Sequence, residues 1–216
     1  MPDISKINNV AVADISKLDS ITFADGQKVN NQSVSLVSDA HTLISSQDAG
    51  GATSVTFSSL GSYDVLLFDW INFDPTGGAD DYLSFQATTS SYSYNAPITS
   101  TYFRGYHNEA DSTANLAYYV SADQAQGTSY NWLGTYVDQD VADSAGSGNL
   151  TLYGHSSTTY VKHFTSRANT ETQAATLDAY VAGYANTTEA ITAIQFKAGA
   201  GGTFTGTFNL YGVATS

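Results

Sequence analysis

The sequence predicts an all-β fold: a jelly-roll-like antiparallel β-sandwich of about ten strands with an extended N-terminal arm. Three observations support this prediction. Helix-forming residues are scarce, whereas Gly, Ser, Thr, Tyr and Phe are abundant, which suits pleated sheets joined by tight turns. Short apolar runs alternate with turn signals from about residue 41 onward. The chain of 216 residues is also long enough for one large β domain and an appendage.

Residues 1–40 form the predicted N-terminal anchoring arm. The segment DISKIN at 3–8 returns 11 residues later as DISKLD at 14–19. The apolar residues of this near-repeat are too few to close a core of their own, so we expect the arm to lie on another protein. The alternative is a frayed terminus. The residues expected to anchor the arm are Ile4, Lys6, Ile7, Ile15, Lys17 and Leu18.

Residues 41–216 form the predicted sandwich domain. The run 63–73 is apolar at both parities, so we expect one face to meet the core and the other to meet a neighbouring subunit or loop. The turn residues at 74–78 and the apolar residues of the segment 83–87 predict that the returning strand forms a hairpin with this run. Other strands are predicted at about 54–57, 116–121, 130–137, 149–153, 159–164, 177–184, 190–197 and 203–213.

The charge and the lack of cysteine exclude several classes of function. A formal net charge of -13 repels phosphate backbones and anionic lipid, so we expect no nucleic-acid or membrane partner. Without Cys there is no disulfide framework, thiolate metal site or thiol nucleophile. No apolar run approaches the roughly 20 residues that span a bilayer, and the first residues lack the pattern of a secretion signal. We therefore expect a protein made in the cytoplasm that leaves it only inside a larger particle.

The sequence offers little catalytic chemistry. The four histidines, His41, His107, His155 and His163, lack close metal-ligand spacing, and no HExxH motif is present. His107 and Glu109 are neighbours that could pair as acid and base, but adjacent polar residues are common in loops. We therefore expect a non-enzymatic protein with no cofactor.

A weak calcium candidate is the acidic, Gly-rich turn that contains Asp74, Asp80 and Asp81. The spacing of an EF-hand is absent. An ordinary solvated hairpin loop explains the same residues, because Asp and Gly are what tight turns require.

Aromatic residues are concentrated between residues 92 and 106, which we expect to form a long connection. Three alternatives stay open: packing under a loop, contact with another subunit, and recognition of a glycan. The residues proposed for an oligomer or glycan contact are Tyr92, Tyr94, Tyr102, Phe103 and Tyr106.

Several segments resemble virion structural proteins of tailed phages, of the kind found in aquatic phages. ISKINNVAVADISK at 4–17 is similar to the leader of phage head and tail proteins, with Asn9 where that leader usually has Gly. ITAIQF at 191–196, followed by GTFNLYGV at 206–213, is similar to their closing strand pair. Two internal segments, SYDVLLF at 62–68 and SSTTYVK at 156–162, also resemble them.

The resemblance implies a virion protein that is made in the host cytoplasm and has a jelly-roll-like body. The leading hypothesis is a capsid decoration or cement subunit, a homo-oligomer with a trimer as one candidate, whose arm docks on the major capsid protein or other virion proteins. The alternative is a tail-fibre or receptor-binding module that recognises host surface glycan. A secreted carbohydrate-active enzyme is disfavoured, because the catalytic motifs are missing.

Overall fold

The computed structural model describes residues 41–77, 80–172 and 174–213, together with four two-residue strands before residue 41. The chain divides into two units, Met1–Asp39 and Ala40–Ser216. All regular elements within the described residues are β-strands, so the predicted all-β class is confirmed. This part of the chain accordingly has no helix long and apolar enough to cross a membrane.

The first unit contains two short antiparallel hairpins. Strand β1 (Lys6–Ile7) pairs with β2 (Val10–Ala11), and β3 (Lys28–Val29) pairs with β4 (Gln32–Ser33). Two asparagines separate the strands of each hairpin in the sequence, and Asn is a residue type that two-residue hairpin loops favour. The anchoring role of the arm stays a prediction. Of its proposed contact residues, Lys6 and Ile7 lie in β1, whereas Ile4, Ile15, Lys17 and Leu18 lie outside the described residues.

The second unit has 13 strands in its described residues, arranged in a larger and a smaller sheet. The larger sheet contains β5 (His41–Asp48), β7 (Val65–Pro75), β9 (Ile98–Asn108), β10 (Ala114–Tyr118), β11 (Gln124–Gly127), β13 (Gly146–Tyr153), β14 (Lys162–Glu171), β15 (Ala175–Ala185) and β17 (Phe204–Val213). The smaller sheet contains β6 (Val55–Phe57), β8 (Leu83–Thr88), β12 (Asn131–Trp132) and β16 (Ala193–Ala198).

Every strand pair in both sheets is antiparallel. The larger sheet has the order β10-β9-β15-β14-β13-β7-β17-β5, with β11 paired to β9, and the smaller sheet has the order β12-β8-β16-β6. This arrangement confirms the predicted antiparallel sandwich. Its jelly-roll connectivity stays a prediction.

Aromatic side chains join the two sheets. Along β14, buried and exposed residues alternate, because successive side chains of a strand point to opposite faces of the sheet. From the smaller sheet, Phe196 contacts Phe68, Trp70 and Phe208 of the larger sheet, with ring centroids 5.6, 6.5 and 5.6 Å apart. Phe57 adds an edge-on contact to Phe68 at 5.6 Å. The core therefore lies between the layers.

The predicted hairpin between residues 63–73 and 83–87 is wrong. β7 pairs with β13 and β17, whereas β8 pairs with β12 and β16 in the other sheet. Both edges of β7 are occupied by β13 and β17, which are longer than β8, so the chain crosses to the other sheet before β8 begins. Turn residues alone do not distinguish a return in the same sheet from a crossing to the opposite sheet.

The long connection expected at residues 92–106 is also mostly wrong, because β9 begins at Ile98. Ile98, Ser100 and Tyr102 are buried while Thr99, Thr101 and Phe103 face outward. The period-2 pattern was present, but polar Ser and Thr on both faces concealed it.

The pairing of β7 with β17 is interrupted by a β-bulge. The register shifts between Thr205 and Thr207, and Gly206 has a φ of +124°. A Cβ added to Gly206 would lie 2.8 Å from the carbonyl oxygen of Asn72, which itself has a φ of +56°. This β-bulge therefore requires glycine for both its backbone conformation and its close approach.

Candidate functional site

A group of partly exposed aromatic rings forms the main candidate site, called here the aromatic cleft and defined by Tyr82, Tyr119, Tyr130, Trp132 and Tyr136. Tyr82 stacks on Trp132, with ring centroids 3.4 Å apart and an interplanar angle of 21°. The Tyr136 ring contacts both edge-on, at 5.1 and 5.5 Å. Tyr119 lies 6.4 Å from Trp132. Trp132 thus contacts the other three rings, and the four together form a ridge.

The backbone around Tyr82 explains how the ridge is held. The buried Asp81 carboxylate accepts hydrogen bonds from the backbone amides of Tyr82 and Ala200, each at 2.8 Å. The Tyr82 ring occupies the space beside Gly199, where an added Cβ would come within 2.0 Å of it. The loop between β16 and β17 therefore fixes the ring beside Trp132.

The first of two depressions beside the ridge has a volume of about 610 Å³. Tyr82, Trp132 and Tyr130 provide its ring surfaces. The Lys197 ammonium lies 5.0 Å from the centre of the Tyr130 ring, and the Tyr130 hydroxyl donates a hydrogen bond to the Gln195 side chain. Serine hydroxyls complete the wall, from Ser84, Ser121 and Ser129.

The second depression, of about 320 Å³, lies beside Tyr119 and Tyr136. Arg104 places its guanidinium 4.3 Å from the centre of the Tyr119 ring. Asp80 lines the same depression and accepts a hydrogen bond from a backbone amide at 3.2 Å. A cation, a carboxylate and three rings, including that of Tyr106, therefore converge there.

The few cations of residues 41–213 are distributed unevenly. Lys162 is fully buried and donates hydrogen bonds to two carbonyl oxygens, at 2.7 and 3.3 Å. Arg167 forms a bidentate pair with Asp178, at 3.0 and 2.7 Å. The remaining two, Arg104 and Lys197, both lie over rings of the aromatic cleft. Neither takes part in an ion pair within the described residues.

Two phenols of the cleft, those of Tyr82 and Tyr130, have raised pKa values. Burial raises the pKa of Tyr82 to about 12, with smaller contributions from Tyr136 and Asp81. Burial also raises the pKa of Tyr130 to about 12. Both hydroxyls therefore stay protonated well above physiological pH.

The five aromatic residues proposed from the sequence do not form one surface. Tyr102 is fully buried, and Tyr92 is half-buried against the core. Tyr94 is half-buried with a φ of +54°. Phe103 is 40% exposed on the outer face, where it stacks on a tyrosine of β15. Tyr106 lines the second depression.

The residues considered for metal or acid–base chemistry lie apart. Asp74 is half-buried, which raises its pKa, while Asp80 and Asp81 accept backbone hydrogen bonds. No group of three or more metal-ligating side chains occurs in the part of the chain that the structure describes, so the calcium candidate has no ligand cluster there. His107 pairs with Asp111 at 3.1 Å in an exposed turn, rather than with Glu109.

A second surface lies on the outer face of the larger sheet and is called the outer patch. Register places Leu43, Tyr211 and Leu67 side by side across β5, β17 and β7. Val65 and Tyr153 form the adjacent row. Two of these side chains are well exposed, Leu43 (54%) and Tyr153 (41%). Ile71 (49%) is exposed on the same face but lies beside Thr207, outside the patch.

Most residues of the cleft were not predicted from the sequence. Only the alternation of Tyr130, Trp132 and Tyr136 at even positions indicated a shared aromatic face. Arg104 and Lys197 had a weaker signal, since cations are rare in this chain. These rings and cations come together only through strand pairing between distant parts of the chain, which local sequence patterns do not reveal.

Comparison of the chain with protein-family models, curated proteins and solved structures gives no match.

Proposed function

We propose that the chain is a non-enzymatic structural subunit of a tailed-phage particle, a capsid decoration subunit that packs against copies of itself and docks through its N-terminal arm. The outer patch carries this proposal. β7 buries Leu66, Phe68 and Trp70 in the core, yet its other face presents Leu67 beside Tyr211 of β17, which in turn pairs with Leu43 of β5. An apolar patch of this kind on a sheet face is typical of a protein interface.

A second copy of the chain is the proposed occupant of the outer patch. The patch lies on paired strands and combines aliphatic side chains with Tyr153 and Tyr211, a composition found at the centre of homo-oligomer interfaces. The resemblance of the leader and the closing strands to virion proteins supports a repeated subunit.

Native mass spectrometry of the full chain tests self-association. We expect a homo-oligomer for the wild type and monomers for Leu43→Asp and Tyr153→Asp, because a buried carboxylate in an apolar interface costs several kcal/mol. Val120→Asp is the matched control, since Val120 is 76% exposed outside the outer patch. A monomeric wild type at high micromolar concentration would contradict the packing proposal.

Attachment to particles tests the arm separately. Full-length Ile4→Asp and Ile15→Asp variants are added to shells that lack the chain, and the bound fraction is measured by sedimentation. Each buried isoleucine contributes about 1.5–3 kcal/mol, so each change should weaken attachment roughly 10- to 100-fold. Attachment equal to that of the wild type would show that the arm does not anchor the subunit.

A specific observation favours a second candidate function, recognition of host surface glycan by a receptor-binding module. The aromatic cleft offers exposed ring faces next to hydrogen-bonding groups, which is the composition of a ligand site rather than of an ordinary polar surface.

A further inference from the structure

The ridge of the aromatic cleft exposes ring surface on both of its sides. Tyr82 and Trp132 line the first depression, and Tyr119 and Tyr136 line the second. Tyr136 is 41% exposed although its edge contacts two other rings. Flat, rigid ring faces pack against the C–H faces of sugar rings at a low cost in side-chain entropy.

Each depression also combines donors with acceptors. The second depression holds the Arg104 donors and the Asp80 carboxylate. The first holds the Lys197 ammonium and serine hydroxyls, and the adjoining hollow beyond Tyr130 is lined by Asp123 and Gln124. A sugar hydroxyl donates one hydrogen bond and accepts others, so vicinal hydroxyls match such mixed sets.

The charges of the cleft argue against an anionic ligand. Asp80 and Asp123 would repel an acidic group placed beside either cation, and the chain as a whole carries a net charge of -13. An uncharged ligand can use the donors of Arg104 and Lys197 without that repulsion.

Two polar atoms in the walls lack partners. The Thr135 hydroxyl and the Gln124 side-chain oxygen are buried and have no hydrogen-bond partner within the described residues. Thr135 lines the second depression and Gln124 the hollow next to the first. Buried polar atoms are usually paired, so these two groups are suited to a ligand with hydroxyls.

We infer that the aromatic cleft binds an uncharged oligosaccharide, with sugar rings stacked on Trp132 and Tyr136 and hydroxyls held by Arg104, Asp80 and Lys197. The inference rests on the second candidate function, glycan recognition, and names its site and ligand class. It is independent of the structural role in the particle.

Tryptophan fluorescence titration of the full chain tests this site, since Trp132 is partly exposed whereas Trp70 is buried. The probes are tetrasaccharides of glucose, of galactose and of N-acetylglucosamine, with tetragalacturonic acid as the acidic probe. We expect saturable binding of at least one uncharged probe. Its affinity should change less than about twofold between low and high salt, because no ion pair is formed.

Variants at the cleft identify the site. Tyr136→Ala and Arg104→Gln should each weaken binding of that probe about 10-fold, whereas Tyr136→Phe should retain most of it. Arg167→Gln is the matched control for Arg104→Gln, because Arg167 also lies over a tyrosine ring, at 4.9 Å, but on the outer face. Circular dichroism confirms that each variant is folded.

The outcomes of these titrations separate three claims: the class of ligand, the location of the site, and glycan recognition itself. Binding of the acidic probe alone, with strong salt dependence, would overturn the ligand class and keep glycan recognition. Equal losses in Arg167→Gln and Arg104→Gln would overturn the location. Failure of all four probes to bind would overturn both the inference and glycan recognition, and would leave the structural role untouched.

Discussion

Replacing Phe196 with alanine should be among the most destabilising single changes in this chain. The ring is fully buried at the centre of the sandwich and contacts four aromatic side chains. Three of them, Phe68, Trp70 and Phe208, belong to the larger sheet, and Phe57 belongs to the same sheet as Phe196. The change removes contacts that hold the layers together.

The size of the effect follows from these contacts. A buried Phe→Ala change costs about 3–5 kcal/mol, because lost transfer free energy adds to the cavity left behind. Such a loss is a large part of the roughly 5–15 kcal/mol that stabilises a typical domain. For a chain of this size it lowers the melting temperature by about 6–20 °C.

Urea denaturation followed by fluorescence measures this loss, with Phe103→Ala as the matched control. Phe103 also stacks on another ring, but it is 40% exposed on the outer face, so its removal should cost only about 1 kcal/mol. Equal losses in the two variants would refute the conclusion that Phe196 is a central contact between the sheets.

Two other changes test the bulge and the buried phenols. Gly206→Ala should lower the free energy of unfolding, measured by urea denaturation, by roughly 1–3 kcal/mol more than Gly201→Ala does. Both glycines have positive φ, but only Gly206 has a carbonyl oxygen 2.8 Å from the added Cβ. Equal losses would show that the close approach is not what requires glycine. The pKa of about 12 for Tyr82 and Tyr130 lies above the ordinary value of 10.0, so their contribution to stability is complete below pH 10 and lost as pH rises through about 12. The urea midpoint should therefore fall across this range, and a double Tyr→Phe variant should lose less; an identical pH dependence in both proteins would refute the assignment.

The strands with a clear alternation of apolar residues could be predicted from the sequence. The closing strand β17 was expected at 203–213 and occurs at Phe204–Val213, because its period-2 pattern is not interrupted by polar residues on the buried face. β9 was missed because buried Ser100 and outward Phe103 reverse the usual sorting. Pairing partners were not predictable, since β7 contacts strands that follow it by more than 70 residues.

The cleft depends on that pairing. Trp132 reaches the larger sheet only because β12 joins the edge of the smaller sheet beside β8. Arg104 points to the same side of β9 as the buried Tyr102, since the two are two positions apart along the strand. Local sequence thus identified aromatic residues but not which of them meet.

The unequal size of the two sheets explains why one body can carry both proposed functions. A four-stranded sheet cannot cover the whole inner face of a nine-stranded one, and the cleft rings lie where Tyr106 and Arg104 of β9 are left partly exposed. The outer patch is on the opposite face, and β7 lies four strand positions from β9, or about 19 Å. Packing of copies through the outer patch therefore leaves the cleft accessible. Leu43→Asp should abolish self-association and keep the sugar affinity per chain. Tyr136→Ala should weaken sugar binding and keep self-association. Loss of both properties in either variant would show that the two surfaces are not separate.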